Sequence, residues 1–234
     1  MPENYKEISY IFSINGELTK KVNVRLSVPK LDYINPIECD IPEWAGLDYK
    51  RCEVCRLSEE AIYCPIAKNM VPIIREFGEY ISYNSVDLTI KTKEREFHNK
   101  VTMQDGLSSL FGIIMTTSGC PTLDKLRPMV YTHLPFATGN ETTYRVLSMY
   151  VLAQYYRKKE GLEADVDLSG LVELYKEIGK INSTFIERFR GHGNTSDAHL
   201  NALVRLSCFN FYIISTIEDD LITDLKDLFH MYLV

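Results

Sequence analysis

Several features that mark membrane, secreted or nucleic-acid-binding proteins are missing from this 234-residue sequence. It has no run of about 18 or more apolar residues, which argues against a membrane span. Its N-terminus, MPENYKEISY, is polar and lacks an apolar signal core, so we expect no export. With 26 basic against 32 acidic residues it has no excess of positive charge for phosphate contacts. We therefore expect a cytoplasmic protein that binds neither membranes nor nucleic acids.

The common enzyme signatures are missing as well. The sequence contains no Walker loop, no G-x-G-x-x-G, no G-x-S-x-G and no H-E-x-x-H. A hydrophobic fraction of 45% and an aromatic fraction of 11% are normal for a globular chain with a substantial core. Composition therefore indicates a folded protein and leaves its reaction, if it has one, unidentified.

Alternation of apolar and polar residues predicts two pairs of strands in the first part of the chain. Apolar residues alternate from Ile8 to Ile14, the turn residues Asn15 and Gly16 follow, and the alternation returns from Val22. The segments SVDLTIKT and REFHNKVTM predict a second pair. We expect both pairs to join in one antiparallel sheet.

From about Met103 onward the apolar spacing is helical almost to the end of the chain. Asn140 is the expected N-cap of a helix that ends with basic residues and Gly161. A further helix is predicted from apolar residues at helical spacing: Leu168, Leu171, Val172, Tyr175, Ile178, Ile181, Phe185 and Phe189. We predict an α+β fold, with a small antiparallel β portion, a cysteine loop and one or two helices over residues 1–102. A helical bundle over 103–234 would pack with it as one unit.

Three cysteines crowd the segment KRCEVCRLSEEAIYCPIAKN, residues 50–69. Cys52-x-x-Cys55 has the spacing of a metal knuckle, because a tight turn can direct both sulfurs at one ion. Cys64 follows nine residues later, before Pro65, where a helix can begin. In a reducing compartment such a cluster indicates a metal site rather than disulfides.

A tetrahedral site needs a fourth ligand, and Cys120 or Cys39 could supply it. Cys120, like Cys64, precedes a proline suited to the start of a helix, whose N–H groups and dipole favour the metal-binding thiolate. Gly119 would let backbone approach the centre closely. We predict Cys52, Cys55, Cys64 and Cys120 as the ligands of zinc, with an iron–sulfur cluster as the alternative.

Two other functions are compatible with the sequence. Thr117 to Thr122 has the outline T-x-x-C-P-T, which resembles the peroxidatic loop of peroxiredoxins and implies a thiol redox enzyme using Cys120. The flanks differ from that family, because an apolar helix is predicted before Cys120. The other alternative is a metal-free interaction protein built on the helices, with a protein partner or a second copy of itself.

The remaining candidate residues receive structural interpretations. Cys208, in LSCFNFYII, is expected to be a buried core thiol. His192 and His199 border a Gly/Asn loop and are expected to be solvated. His133 could form a polar cleft with the residues that flank its loop, which are Arg127, Glu141 and Arg145. A junction between helices in which these side chains hydrogen-bond one another and the backbone would have the same composition, and we favour that interpretation.

An ordered set of short segments resembles an uncharacterised bacterial protein family. These segments are EW, C-x-x-C, CPIA, GLSSLFGIIMTTSGCP, RPM, HLPFA, ETTYR and SMYVLAQYY, and they run over most of the chain. The resemblance implies a short β N-terminus, a helical remainder and a bacterial cytoplasmic setting, with no assigned activity. Arg56 stands where the family pattern has a proline after the second knuckle cysteine, which changes the local turn and removes no ligand.

Overall fold

A computed structural model describes residues 5–14, 18–191 and 196–234. Within them, four strands and seven α-helices confirm the predicted α+β class. The strands are β1 (Tyr5–Ile14), β2 (Leu18–Ser27), β3 (Ser85–Lys91) and β4 (Glu96–Thr102). The helices are α1 (Pro65–Glu76), α2 (Met103–Thr117), α3 (Arg127–Tyr131), α4 (Gly139–Lys159), α5 (Ser169–Gly191), α6 (Asp197–Glu218) and α7 (Thr223–Lys226).

The four strands form one antiparallel sheet in the order β2-β1-β3-β4. The alternation that predicted β1 places Ile8, Tyr10, Phe12 and Ile14 in the core. The predicted pairing of both hairpins in one sheet is therefore confirmed. The Asn15-Gly16 turn lies outside the described residues.

Helix α2 packs directly on the sheet. Gly106 makes this possible, because a Cβ there would lie 2.7 Å from Cε1 of Phe12 and 3.1 Å from Cδ2 of Leu88. Thr102 caps the helix by accepting a hydrogen bond from the Asp105 N–H. The change from β4 to α2 falls at the predicted boundary between residues 102 and 103, although the division into two regions stays a prediction.

Helices α1, α4 and α5 form where the sequence places them, with two differences, in α4 and α5. α1 begins at Pro65 as expected and continues through Pro72. α4 is capped by Thr138 rather than Asn140, because Thr138 and Glu141 form a reciprocal capping box. Leu168 precedes α5 and has a φ of 61°, so it packs beside the helix rather than within its stripe.

Helix α6 lies against α2 and α5 with one face and leaves the other open. Leu203 and Asn210 are buried, whereas Cys208 is exposed. The prediction of a buried Cys208 was wrong, because at about 100° per residue it lies on the face opposite to these two residues. Among the described helices, α6 is the one that is long and apolar enough to cross a membrane, judged by length and composition alone.

Candidate functional site: four cysteines around a buried arginine

The cysteine loop is closed by an antiparallel bridge between the segments before and after it. The Leu47 N–H donates to the Ile62 carbonyl at 2.9 Å, and the Cys64 N–H donates to the Ala45 carbonyl at 3.0 Å. At the tip of the loop the Cys55 N–H donates to the Cys52 carbonyl at 3.0 Å, which is the tight turn that the C-x-x-C spacing predicts. The bridge brings Cys64 to the base of the loop that carries the other two thiols.

Cys64 lies at the N-terminus of a helix as predicted, because it is the N-cap of α1. Cys120, in contrast, lies two residues before Thr122, the N-cap of the short 3-10 helix Leu123–Leu126, and Pro121 is not the first residue of that helix. Cys64 makes no full capping hydrogen bond. Nevertheless, the backbone N–H groups of Ala67 and Leu123 are close enough to favour the thiolates of Cys64 and Cys120, respectively.

Packing of α1 against the end of α2 joins the two cysteine segments. The Asn69 amide on α1 donates to the Ser118 hydroxyl at 3.0 Å. Cys64 consequently lies within electrostatic range of Cys120. Gly119 has a φ of +89° and no heavy atom within 4 Å of its Cβ position, so the turn needs glycine for its conformation. The close approach of this backbone to a metal centre stays a prediction.

Arg188 is a buried cation beside the thiols. It projects from α5 with 1% of its surface exposed. Its guanidinium donates to the carbonyls of Trp44 at 2.5 Å, Gly46 at 2.8 Å and Lys50 at 3.1 Å, all in the segment that leads into the cysteine loop. In the described ranges no carboxylate lies within ion-pair distance of Arg188, and its Nε has no hydrogen-bond partner.

The thiols are the principal groups near Arg188 that can become anionic. Burial lowers the pKa of Arg188, and the neighbouring Cys64, Cys52 and Cys55 act in the opposite direction. Arg188 was not among the site residues predicted from the sequence. Its position could have indicated burial, because it lies seven residues after Ile181 and three after Phe185. The apolar stripe of α5 would place a hydrophobic side chain there, and the sequence has an arginine.

Burial favours the protonated form of three of the thiols. It raises the pKa of Cys52 to about 11, and the pKa values of Cys64 and Cys120 also rise because burial outweighs their N–H neighbours. The prediction that a helix terminus makes the thiolate the favoured form was therefore wrong, because burial has the larger effect on the pKa. Deprotonation of these thiols requires a further positive charge, which a bound metal ion supplies.

Across residues 5–14, 18–191 and 196–234, no three His, Cys, Asp or Glu side chains are grouped closely enough to hold a metal ion as they stand. The assignment of four metal ligands stays a prediction. Cys39 is not among the main groups that shift the pKa values of the other thiols. The backbone carbonyl of its neighbour Asp40 accepts a hydrogen bond from Arg75, which lies in the last turn of α1. Cys64, in contrast, lies at the start of the first turn of that helix. This placement favours Cys120 over Cys39.

The polar cleft considered as the alternative for His133 forms only in part. His133 Nε2 shares a 2.9 Å hydrogen bond with the Tyr10 hydroxyl, and Arg145 lies nearby, donating to the carbonyls of Met129 and Thr132. Arg127 instead pairs with Asp32 and Asp124. Glu141 belongs to the α4 capping box. The junction interpretation therefore accounts for Arg127 and Glu141, whereas Arg145 and His133 border a cavity.

His199 is buried, contrary to the expectation that it is solvated. Its ring stacks on Phe111 with centroids 6.1 Å apart, and its Nδ1 shares a 3.0 Å hydrogen bond with the Ser196 hydroxyl. The loop residues that suggested exposure lie before α6, and His199 falls on the first turn of that helix, facing α2. His192 lies outside the described residues.

Two buried histidines should make the stability of the protein depend on pH. Burial lowers the pKa of His133 to about 3 and that of His199 to about 4. The unfolded chain titrates near 6.5, so between pH 6.5 and 4 it binds protons that the folded state does not. We expect full stability above pH 6.5 and a loss of up to about 2.7 kcal/mol per pH unit below it. Urea unfolding between pH 7.5 and 4.5 measures this slope.

The matched variant is His199→Gln, which removes one of the two titrating groups and should roughly halve the slope between pH 6 and 5. An unchanged slope in that variant would show that His199 titrates normally in the folded protein.

Comparison with known proteins gives a family and no activity. No curated protein and no solved structure matches the chain. The model of a domain of unknown function, DUF6901, matches residues 8–230, which confirms the predicted membership of an uncharacterised family. The match does not test the cysteine pattern. The chain belongs to the DUF6901 family, a domain of unknown function.

Proposed function

We propose that the protein is a metal-binding protein in which Cys52, Cys55, Cys64 and Cys120 hold one zinc ion. The observation that carries the proposal is the buried Arg188, which lies beside the thiols with no carboxylate partner in the described residues. A buried charge is retained in a protein when an opposite charge accompanies it. Zinc bound by four thiolates is a doubly negative centre, and the Arg188 cation would offset half of that charge.

The proposed centre has a structural role. Its ligands come from the cysteine loop, from the start of α1 and from the turn after α2, so zinc would join segments that the sequence separates by more than fifty residues. Four sulfur ligands leave no open position for a substrate. A structural site of this kind suits a binding or regulatory module, with a protein partner or a second copy as its target. Free thiols of this kind also suit a reducing compartment such as the cytoplasm.

The thiol redox alternative has weaker support. A nucleophilic cysteine needs a low pKa, whereas burial raises the pKa of Cys120. The Thr117 hydroxyl, which the peroxiredoxin resemblance would direct at peroxide, donates instead to the Ile113 carbonyl at 2.8 Å. These two features favour Cys120 as a ligand.

Elemental analysis and an ultraviolet–visible spectrum of protein purified without oxygen test the proposal. We expect about one zinc per chain and a colourless protein. Iron together with broad absorption near about 400 nm would show that the same four cysteines hold an iron–sulfur cluster instead of zinc. A folded protein that contains neither metal, and that takes up no zinc when zinc is added, would overturn the proposal.

A further inference from the structure

A cavity of about 430 Å³ lies between α2, α6 and the turn that joins α3 to α4. Its volume falls in the range of about 300–1,000 Å³ that is typical of small-ligand pockets. Most of its wall is apolar and includes Ile113, Leu126, Met129, Leu134, Leu206 and Phe209. The cavity is formed by elements other than the cysteine loop, so it is independent of the proposed zinc centre.

Gly112 keeps the α2 wall of this cavity open. The residue lies in the middle of the helix, where glycine is unfavourable compared with alanine. Packing does not require glycine there, because its Cβ position meets only Cδ2 of Leu206 at an ordinary 3.7 Å. Gly106 on the same helix differs, since a Cβ there would collide with Phe12. The effect of glycine at position 112 is to leave space in the cavity.

The cavity wall carries one cation, Arg145, that forms no ion pair with any carboxylate in the described residues. Arg205 is paired with Asp105 at 2.8 Å, so these two charges cancel. Arg145 gives hydrogen bonds only to the Met129 and Thr132 carbonyls, and its Nε has no partner in the described residues. The carboxylate of Glu141 lies within electrostatic range of Arg145, but it accepts its hydrogen bonds from Thr138 in the capping box and forms no ion pair with the arginine. His133, which also lines the cavity, is neutral because its pKa is lowered to about 3, mainly by burial.

We propose that this cavity binds an amphipathic monocarboxylate, with the carboxylate at Arg145 and an aliphatic body along the wall at Gly112. One guanidinium matches one carboxylate in charge and in its planar geometry. A phosphate ester would bring nearly two negative charges against a single free cation. The apolar wall and the space beside Gly112 would accommodate a hydrocarbon chain.

Calorimetric titration of the purified full chain with decanoate tests the proposal. We expect decanoate to bind, and Arg145→Gln to weaken it at least tenfold, because a charge-assisted hydrogen bond is lost. Binding of 1-decanol, which has the same chain and no charge, should change less than twofold in that variant. Arg157→Gln is the matched control, since this exposed residue of α4 lies outside the cavity and donates to the Glu163 carbonyl.

Gly112→Leu tests the location of the hydrocarbon chain independently of Arg145. The new side chain should fill the cavity, abolish binding of both probes and raise the melting temperature, because leucine is a better helix former than glycine. This variant keeps the proposal testable if Arg145→Gln does not fold. Failure of decanoate to bind the wild-type protein, or unchanged binding in Gly112→Leu, would overturn the proposed site. Equal loss of decanoate and decanol in Arg145→Gln would remove Arg145 as the anchor.

Discussion

Replacement of Arg188 by methionine should destabilise the protein by at least about 3 kcal/mol, because each buried carbonyl left without its donor costs about 1–3 kcal/mol. Three backbone carbonyls lose their donor at once, those of Trp44, Gly46 and Lys50. Methionine fills most of the volume, so the loss reflects charge and hydrogen bonding more than packing. Because the proposed zinc centre is doubly negative, it loses its nearest counter-charge in the same variant. We expect weaker zinc retention together with the lower free energy of unfolding, measured by urea denaturation.

Arg190→Met is the matched control for this experiment. It removes the same charge from the same helix, but Arg190 is exposed, so stability should change by no more than about 0.5 kcal/mol. Arg188→Lys keeps the charge and loses the planar fork that reaches three carbonyls. It should retain zinc better than Arg188→Met while remaining less stable than the wild type. Full zinc retention in Arg188→Met would show that the arginine supports the loop and not the metal.

Cys120→Ser should empty the metal site about as completely as Cys55→Ser, although Cys120 lies more than fifty residues from the other ligands. A closed tetrahedral site needs all four sulfurs, and serine at neutral pH does not replace a thiolate. Because metal-binding free energy contributes to folding in such sites, both variants should also melt at a lower temperature. Metal per chain, measured after gel filtration, together with the melting curve gives both quantities.

Two cysteines outside the proposed site provide the controls. Cys39→Ser should keep its metal, because the next residue, Asp40, is bonded to Arg75 in the last turn of α1, whereas Cys64 is the N-cap of that helix. Cys208→Ser should also keep its metal, because this thiol is exposed on α6. A site emptied by Cys39→Ser and left full by Cys120→Ser would assign the fourth ligand to Cys39. A Cys120 that alkylates faster than Cys208 in native protein would support the redox alternative.

Local patterns in the sequence were sufficient for much of the fold. Alternation from Ile8 to Ile14 fixed both the strand and its buried face, because a period of two leaves one register for a half-buried strand. Pro65 marked the first residue of α1, where its missing N–H costs nothing. The apolar stripe from Leu171 to Phe189 identified α5. Each of these signals depends on neighbours within a few positions along the chain.

The parts that could not be predicted depend on contacts between distant segments. The buried state of Arg188 follows from carbonyls more than 130 positions earlier, and nothing near it in the sequence indicates those partners. Cys208 and His199 were misplaced because an apolar helix such as α6 does not reveal which face meets the core. The pKa of Cys120 was misjudged because helix-terminal N–H groups are visible in sequence, whereas the depth of burial is not.

X-ray absorption at the zinc edge, on protein purified without oxygen, tests the central claim most directly. Four sulfur atoms at about 2.3 Å from zinc are expected if Cys52, Cys55, Cys64 and Cys120 are the ligands. A first shell that contains nitrogen or oxygen at about 2.0–2.1 Å would contradict the four-cysteine assignment.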